Sequence, residues 1–433
     1  MTYRRLLGGG SLVTLGNVTA TGLGLLLLLL LGRSLEPAEL AIVMGVIAVI
    51  DGGQMFLDAS VNTGMVNLAA RRGTTGAPSP DLLRAGLWSK LIAGLIYAVI
   101  AALAARPMSI AMVGDASIAP LIAVAGGAAL VAGMQGFILA LLTAHEAFGR
   151  IALVSTWKNA IRILVVLPFL LRPEPDPWTA ALAICGATVV TFLFSVRMVS
   201  WSFLRDAAPL REGLAALLRV NRWMALAALA MLGGRLDLWL VGWLGGAGQA
   251  GHFAVAAQLC VGVGVVTQAL VTTLLPTISR FENAGQVREF MVKGSRVLLP
   301  VLLLPLAAWL LAEPAMVLFV GPGYADSAPI FVVLLTASVM TLVGAPLMLV
   351  LLTLGEARIL ALGAMMQMGL RVAFAIPLVA SAGGVGMAVA DVLSRLIAMA
   401  AIGVFVWRAL RRGWNGAGAV SAGGEAVGQA GSA

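Results

Sequence analysis

Charge is scarce in this chain: Asp, Glu, Lys and Arg make up 11% of 433 residues, against about 25% in ordinary soluble domains. So little charge cannot clothe a soluble enzyme, a disordered chain or a nucleic-acid-binding domain. Histidine is nearly absent, at two residues, and the two cysteines, Cys185 and Cys260, both fall inside apolar stretches. That excludes a disulfide framework and a Cys/His metal centre, and no cofactor is expected. No G-x-x-x-x-G-K-[ST] phosphate loop is present, so direct ATP hydrolysis has no support. Long polar segments are missing too, and with them any sizeable domain outside the apolar regions.

What the chain has instead is hydrophobic sequence, 61% of all residues, with a mean hydropathy of +1.01. Apolar runs of about twenty residues, each able to cross a roughly 30 Å hydrocarbon core, recur throughout. The pattern predicts an all-α polytopic membrane protein with twelve spans near 8–31, 41–69, 83–105, 119–143, 151–171, 178–203, 223–245, 252–276, 297–320, 330–354, 359–380 and 384–407. The first is too long for the apolar region of a signal peptide, despite Arg4 and Arg5 before it, and is read as a retained span.

The net charge of +9 has a topological explanation, because cytoplasmic loops collect Lys and Arg. Of 28 such residues, nineteen fall in connections on one side, three (Arg33, Arg106 and Arg172) on the other, and six inside spans. This bias predicts an even number of spans with both termini cytoplasmic. The longest connection divides the chain into a six-helix lobe over 1–203, a cytoplasmic linker over 204–222 and a second six-helix lobe over 223–407. A flexible cytoplasmic tail is expected over 408–433, where Gly, Ala and Ser dominate. The halves echo each other: Leu31-Gly32 and Leu244-Gly245 each precede a short turn, a long apolar helix and a basic end. Equal orientation of the halves implies a pseudo-two-fold axis along the membrane normal, with substrate held between the lobes.

An ionisable group deep in a span needs a partner or an aqueous cavity. Asp51, Gln54, Asp58 and Asn62 fall on one stripe of span two. Ser155, Lys158, Asn159 and Arg162 share a face of span five. The two stripes predict a shared polar interior. The competing reading makes them structural glue, with Asp58 pairing Arg162. Lys90 lies close enough to the basic end to snorkel to the headgroups. Arg162, about 16 Å along its helix, does not. In the second half, Arg235 and Asp237 point to different faces, Gln367 and Arg371 share one, and Asp391 and Arg395 can close an i,i+4 ion pair. Lys158, Arg162, Arg235 and Arg371 are the candidate anion-binding residues of a cationic cavity. Arginine suits phosphate there because its planar fork donates two hydrogen bonds at once.

The stretch Gly32-Arg33-Ser34-Leu35-Glu36-Pro37-Ala38-Glu39-Leu40-Ala41, followed by a long helix carrying Asp58 and then Arg71, resembles the start of Wzx-type polysaccharide flippases. The segments Arg235-Leu236-Asp237-Leu238-Trp239 and Gly251-His252-Phe253-Ala254-Val255-Ala256-Ala257 are similar to that family's seventh and eighth helices, and Leu275-Pro276-Thr277-Ile278-Ser279 to the close of its eighth. The family belongs to the multidrug/oligosaccharidyl-lipid/polysaccharide exporter superfamily. The resemblance implies an alternating-access flippase of a bacterial cytoplasmic membrane, moving an undecaprenyl-diphosphate-linked oligosaccharide for O-antigen or other surface polysaccharide. Membrane lipid, a coupling proton or sodium ion acting at Asp51 or Asp58, and polysaccharide-assembly proteins are the implied partners. A cation-coupled multidrug-type exporter stays open, although span one, with Thr14, Asn17 and Thr21, lacks the acid such exporters commonly use. A membrane-embedded glycosyltransferase or polymerase is the remaining alternative, with Glu36 and Glu39 as acids in the first external loop.

Overall fold

A computed structural model of the chain describes residues 3–71, 80–114, 116–145, 147–204, 236–278, 284–353 and 357–411. Among the described residues all regular structure is helical. The helices are α1 (Tyr3–Ser34), α2 (Pro37–Arg71), α3 (Pro80–Val113), α4 (Ala119–Ala144), α5 (Phe148–Leu170), α6 (Pro177–Val196), α7 (Leu236–Gly245), α8 (Ala247–Ile278), α9 (Ala284–Leu298), α10 (Leu304–Phe319), α11 (Ser327–Thr353) and α12 (Ala357–Arg411). In hydrocarbon every backbone polar group must be satisfied within the chain, and a helix does this locally.

Ten of these helices are long and apolar enough to cross a membrane. One of them, α12, holds two spans: Ala382 and Gly383 leave helical geometry, Gly383 at φ +54°. Gly386 then lies against the backbone of Leu378, which a straight helix would place about 12 Å away. The chain therefore turns back on itself. The two arms of α12 bring the spans among the described residues to eleven, and the ten-residue α7 falls within the seventh span expected at 223–245, the rest of which lies outside the described residues. The interlobe linker expected at 204–222 and most of the expected tail lie outside the described residues.

Short turns and capping fix the helix ends. Pro37, Pro80 and Pro177 open α2, α3 and α6, where the missing N–H costs nothing. The Asp176 carboxylate accepts from the backbone N–H groups of Trp178 and Thr179, both at 3.1 Å, and so caps α6. Close packing uses small residues. Gly94 sits against Leu130, Gly126 against Ala98 and Ala101, and Gly133 against Leu57. Their missing side chains let α2, α3 and α4 approach. α10 turns Leu306, Trp309, Leu310 and Leu311 outward, as a lipid-facing helix does.

α9 differs from the rest. It buries Val287 against Val350, Leu351, Ile402 and Val406 and leaves Arg288, Lys293 and Arg296 exposed. It is a surface helix, not a span, on the side where the chain's cations gather. A hydrogen bond from Lys293, 2.5 Å away, holds the Glu289 carboxyl below its usual range.

The first six spans pack among themselves, chiefly α2 and α3 on α4, α1 on α5, and α6 on α4 and α5. The second six do likewise through α8 on α11 and α11 on α12. Across the two lobes, α1 and α2 meet α8, and α3 meets α7. These meetings concentrate away from the basic side. There Arg33 donates to the carbonyls of Leu318 (2.6 Å) and Phe319 (3.1 Å) at the end of α10. Tyr324 donates its buried hydroxyl to the Leu35 carbonyl at 2.9 Å. Burial pushes the Tyr324 phenol above its usual range, so it remains a donor. Gly251 touches the Pro37 backbone, and Met112 fills the space between Gly45 and Gly242. Together these contacts seal one end of the lobe interface.

Candidate functional site

From that seal a cavity of about 980 Å³ runs toward the basic side. Its wall extends along α1 from Leu31 to Val13 and is completed by α2, α5, α8 and Thr143 of α4. Among the described residues the charged ones in the wall are Asp51, Lys158 and Arg162. The i, i+4 spacing of Lys158 and Arg162 puts both on the face of α5 turned toward α2. Arg162 donates to Asp51 at 3.0 Å, and Lys158 lies 3.4 Å from the same carboxylate oxygen. Gln54, one turn beyond Asp51, accepts from Lys158 at 2.7 Å. Arg162 is nearly buried, at 6% side-chain exposure, whereas Lys158 keeps 22%. Two cations therefore stand against one carboxylate in this wall. The Arg162 Nε is buried without a hydrogen-bond partner.

Uncharged polar groups complete the wall. Asn17, Thr21 and Asn159 line one side and Gln258 and Gln268 the other. Gly24 lies beside two of the amides, since a β-carbon there would be in ordinary contact with the side-chain nitrogens of Asn159 at 3.6 Å and Gln258 at 3.8 Å, and Asn159 donates to the Ala20 carbonyl at 2.6 Å.

A second cavity, of about 560 Å³, adjoins the first and shares Met44, Ile47, Gln258 and Val261 with it. Its charges come from α7 and both arms of α12. Arg371 donates to Asp237 at 3.0 Å and reaches Asp391 at 2.5 Å. Arg395 closes the chain with Asp391 at 3.0 Å and with the Thr341 hydroxyl. Among the described residues two cations and two carboxylates balance.

The residues singled out by the sequence divide along these lines, and the outcome for each follows from its neighbours. Asp51, Lys158 and Arg162 meet in one wall, as their facing stripes require, and Gln54 supports Lys158. Arg371 lines the adjoining cavity. Arg235 lies outside the described residues. The stripe on α2 does not stay with the cavity, however. Asp58 accepts from Lys90 of α3 at 2.6 Å, and Asn62 donates to the Gly136 carbonyl of α4 at 3.2 Å. Neither is in the wall of either cavity. The helical period holds, but α2 faces α5 at the level of Asp51 and α3 and α4 at the level of Asp58. Lys90 accordingly does not snorkel: it is fully buried and also donates to the Gly133 carbonyl at 3.0 Å. The pairing of Asp58 with Arg162 is replaced by Asp58 with Lys90 and Asp51 with Arg162. Asp391 and Arg395 form the expected i,i+4 pair.

Sequence reasoning missed Gln258 and Gln268. Both belong to one face of α8, with Val261, Val265 and Ala269 between and beside them. An uncharged amide among valines gives a weaker signal than a charge, although its period is the same. The partnership of Asp237 with Arg371 was also missed, because it joins helices 134 residues apart in sequence.

A family model described as polysaccharide biosynthesis protein matches residues 6–282. No curated protein sequence matches the chain. Among solved structures, an inward-facing multidrug resistance MATE family transporter of the MOP superfamily is similar at a TM-score of 0.72 and 19% identity, over 92% of this chain and 96% of that one. The lipid II flippase MurJ in an inward closed conformation is similar at 0.71 and 12% identity, over 91% and 87% of the two chains. A mutant of the Vibrio cholerae MATE transporter VcmN gives 0.63 at 16% identity, over 94% and 97%. At these identities the likeness establishes a common fold.

Proposed function

The chain belongs to the polysaccharide biosynthesis protein family, and we propose that it moves an undecaprenyl-diphosphate-linked oligosaccharide across a bacterial cytoplasmic membrane by alternating access between its two lobes. One observation carries this reading. Lys158 and Arg162 stand deep in the wall of a large interlobe cavity and share a single carboxylate, Asp51. Buried charge is costly unless matched, so a wall with one positive charge in excess favours an anionic cargo. The Arg162 fork and the Lys158 point charge suit phosphate oxygens, the first by geometry and the second by charge.

The cargo enters from the basic side, which we assign to the cytoplasm with both termini, in keeping with the bias of Lys and Arg. The diphosphate meets Lys158 and Arg162, the interlobe space admits the sugars, and the lipid tail stays in the bilayer. Rocking of the lobes then parts the seal made by Arg33 and Tyr324 and exposes the cavity to the other side, where assembly proteins receive the cargo for O-antigen or a related surface polymer. Asp51 is the coupling candidate. Neutralised by a proton or sodium ion, it releases both cations. Asp58, engaged by Lys90, is the weaker one. The chain acts as a carrier and makes or breaks no covalent bond.

The similarity to MATE transporters keeps a small-molecule exporter as the second reading. Cells depleted of the protein decide between them, with a periplasm-restricted ligase reporting carrier-linked sugar in the outer leaflet. The flippase reading requires lost delivery that is restored by wild type but not by Arg162→Ala. Normal delivery with altered efflux of small molecules would overturn it in favour of the exporter.

A further inference from the structure

We infer that the second cavity is a sugar subsite: it takes the carbohydrate end of the cargo while the first cavity takes the diphosphate. This rests on the transport reading above and deepens it. The two spaces share Met44, Ile47, Gln258 and Val261, so they adjoin along α2 and α8 and lie within reach of the two ends of one ligand. Their charge differs in a way that sorts the two ends of such a ligand.

The first wall holds an excess of one cation. The second holds four charges already paired as Asp237 with Arg371, Arg371 with Asp391, and Asp391 with Arg395. An anion entering the second cavity would meet two carboxylates. A cation would meet two guanidinium groups. A lipid chain would be set against four buried charges whose remaining hydrogen-bonding capacity it cannot satisfy. A neutral, hydroxyl-rich group suffers none of these penalties.

The second wall also supplies what such a group needs. Gln258 and Gln367 carry amides that both donate and accept, and Ser338 adds a hydroxyl. The Nε of Arg371 is buried without a hydrogen-bond partner, so the paired cluster retains a donor for a polar ligand. Met44, Met55 and Met368 border the same space and can repack around different rings. At about 560 Å³ the cavity falls within the roughly 300–1,000 Å³ of small-molecule sites. Gln258, common to both walls, stands where the diphosphate joins the first sugar.

The test compares the affinity of purified full-length protein for undecaprenyl diphosphate with its affinity for the same carrier bearing N-acetylglucosamine or glucose. Wild type is expected to prefer at least one glycosylated probe tenfold or more. Ala364→Trp, which fills the second cavity from α12, and Gln367→Ala, which removes an amide without adding bulk, are expected to bring that preference down at least fivefold. Arg162→Ala is expected to weaken both kinds of probe together and keep their ratio within twofold. A wild-type ratio of one for both sugars, or a ratio unmoved by either second-cavity variant when both variants are monodisperse, overturns the subsite. Failure of wild type to bind any of the carriers overturns the transport reading itself.

Discussion

Lys90, with no exposed side-chain surface, places its ammonium 2.6 Å from the Asp58 carboxylate and bridges α3 to α2 in the interior of the first lobe. Removing one partner of a buried pair leaves the other charge uncompensated, at a cost of about 3–5 kcal/mol. Asp58 keeps 29% exposure, so Lys90→Met should fall near the lower end, about 3 kcal/mol. Asp58→Asn, which strands the fully buried cation, should cost at least as much. The double variant should recover most of the loss. Thermal unfolding in detergent checks the cycle, and additive losses would refute the pairing.

Arg33 ties the α1–α2 turn to the last carbonyls of α10. Arg33→Ala removes two hydrogen bonds across the lobes, together about 2 kcal/mol, or roughly 30-fold in a two-state population. Spin labels at Glu36→Cys and Val317→Cys should then report a longer distance in a larger fraction of molecules. An unchanged distance distribution would show that the seal does not depend on this arginine.

Gly251→Ala should act at the same end by a different cause. A β-carbon there overlaps the Pro37 backbone, which no side-chain rotation relieves. The variant should therefore favour the same longer distance and lower the thermal midpoint. Gly22→Ala is the control, since a β-carbon there meets nothing within 4 Å and should change neither.

Arg371 contacts Asp237 and Asp391 through different nitrogens. Lysine offers one compact charge and cannot span both carboxylates with the same geometry. Arg371→Lys should destabilise the second lobe by about 1–3 kcal/mol, the scale of a charged hydrogen bond lost, and Arg371→Ala by more. Survival of monodisperse protein after heating orders the three proteins. Equal survival of the lysine variant and wild type would argue against a bridging role.

Much of this architecture is legible in the sequence. Span number follows from hydrophobic length, because hydrocarbon thickness sets a minimum that the chain must meet. Asp51, Lys158 and Arg162 stand out because charge is rare in spans and helical period puts each set on one face. What the sequence hides is the identity of partners. The stripe on α2 is straight, but its neighbours change along it, so Asp58 goes to Lys90 and not to Arg162. Periodicity within one helix does not specify which helix crosses it at a given depth. Asp237 with Arg371 is hidden for the same reason, and Gln258 because an amide is less conspicuous among valines than a charge.

Three connections opposite the basic side are very short: Ser34 passes to Pro37 within a turn, Gly245 to Ala247 through Gly246, and α12 reverses at Ala382 and Gly383 with no intervening loop. The segment from Phe319 to Ser327 is longer, and Tyr324 folds it down into the seal. The relief of that face gathers at the seal, where the Gly32–Pro37 turn and the segment around Val320 and Tyr324 border a cleft of about 480 Å³.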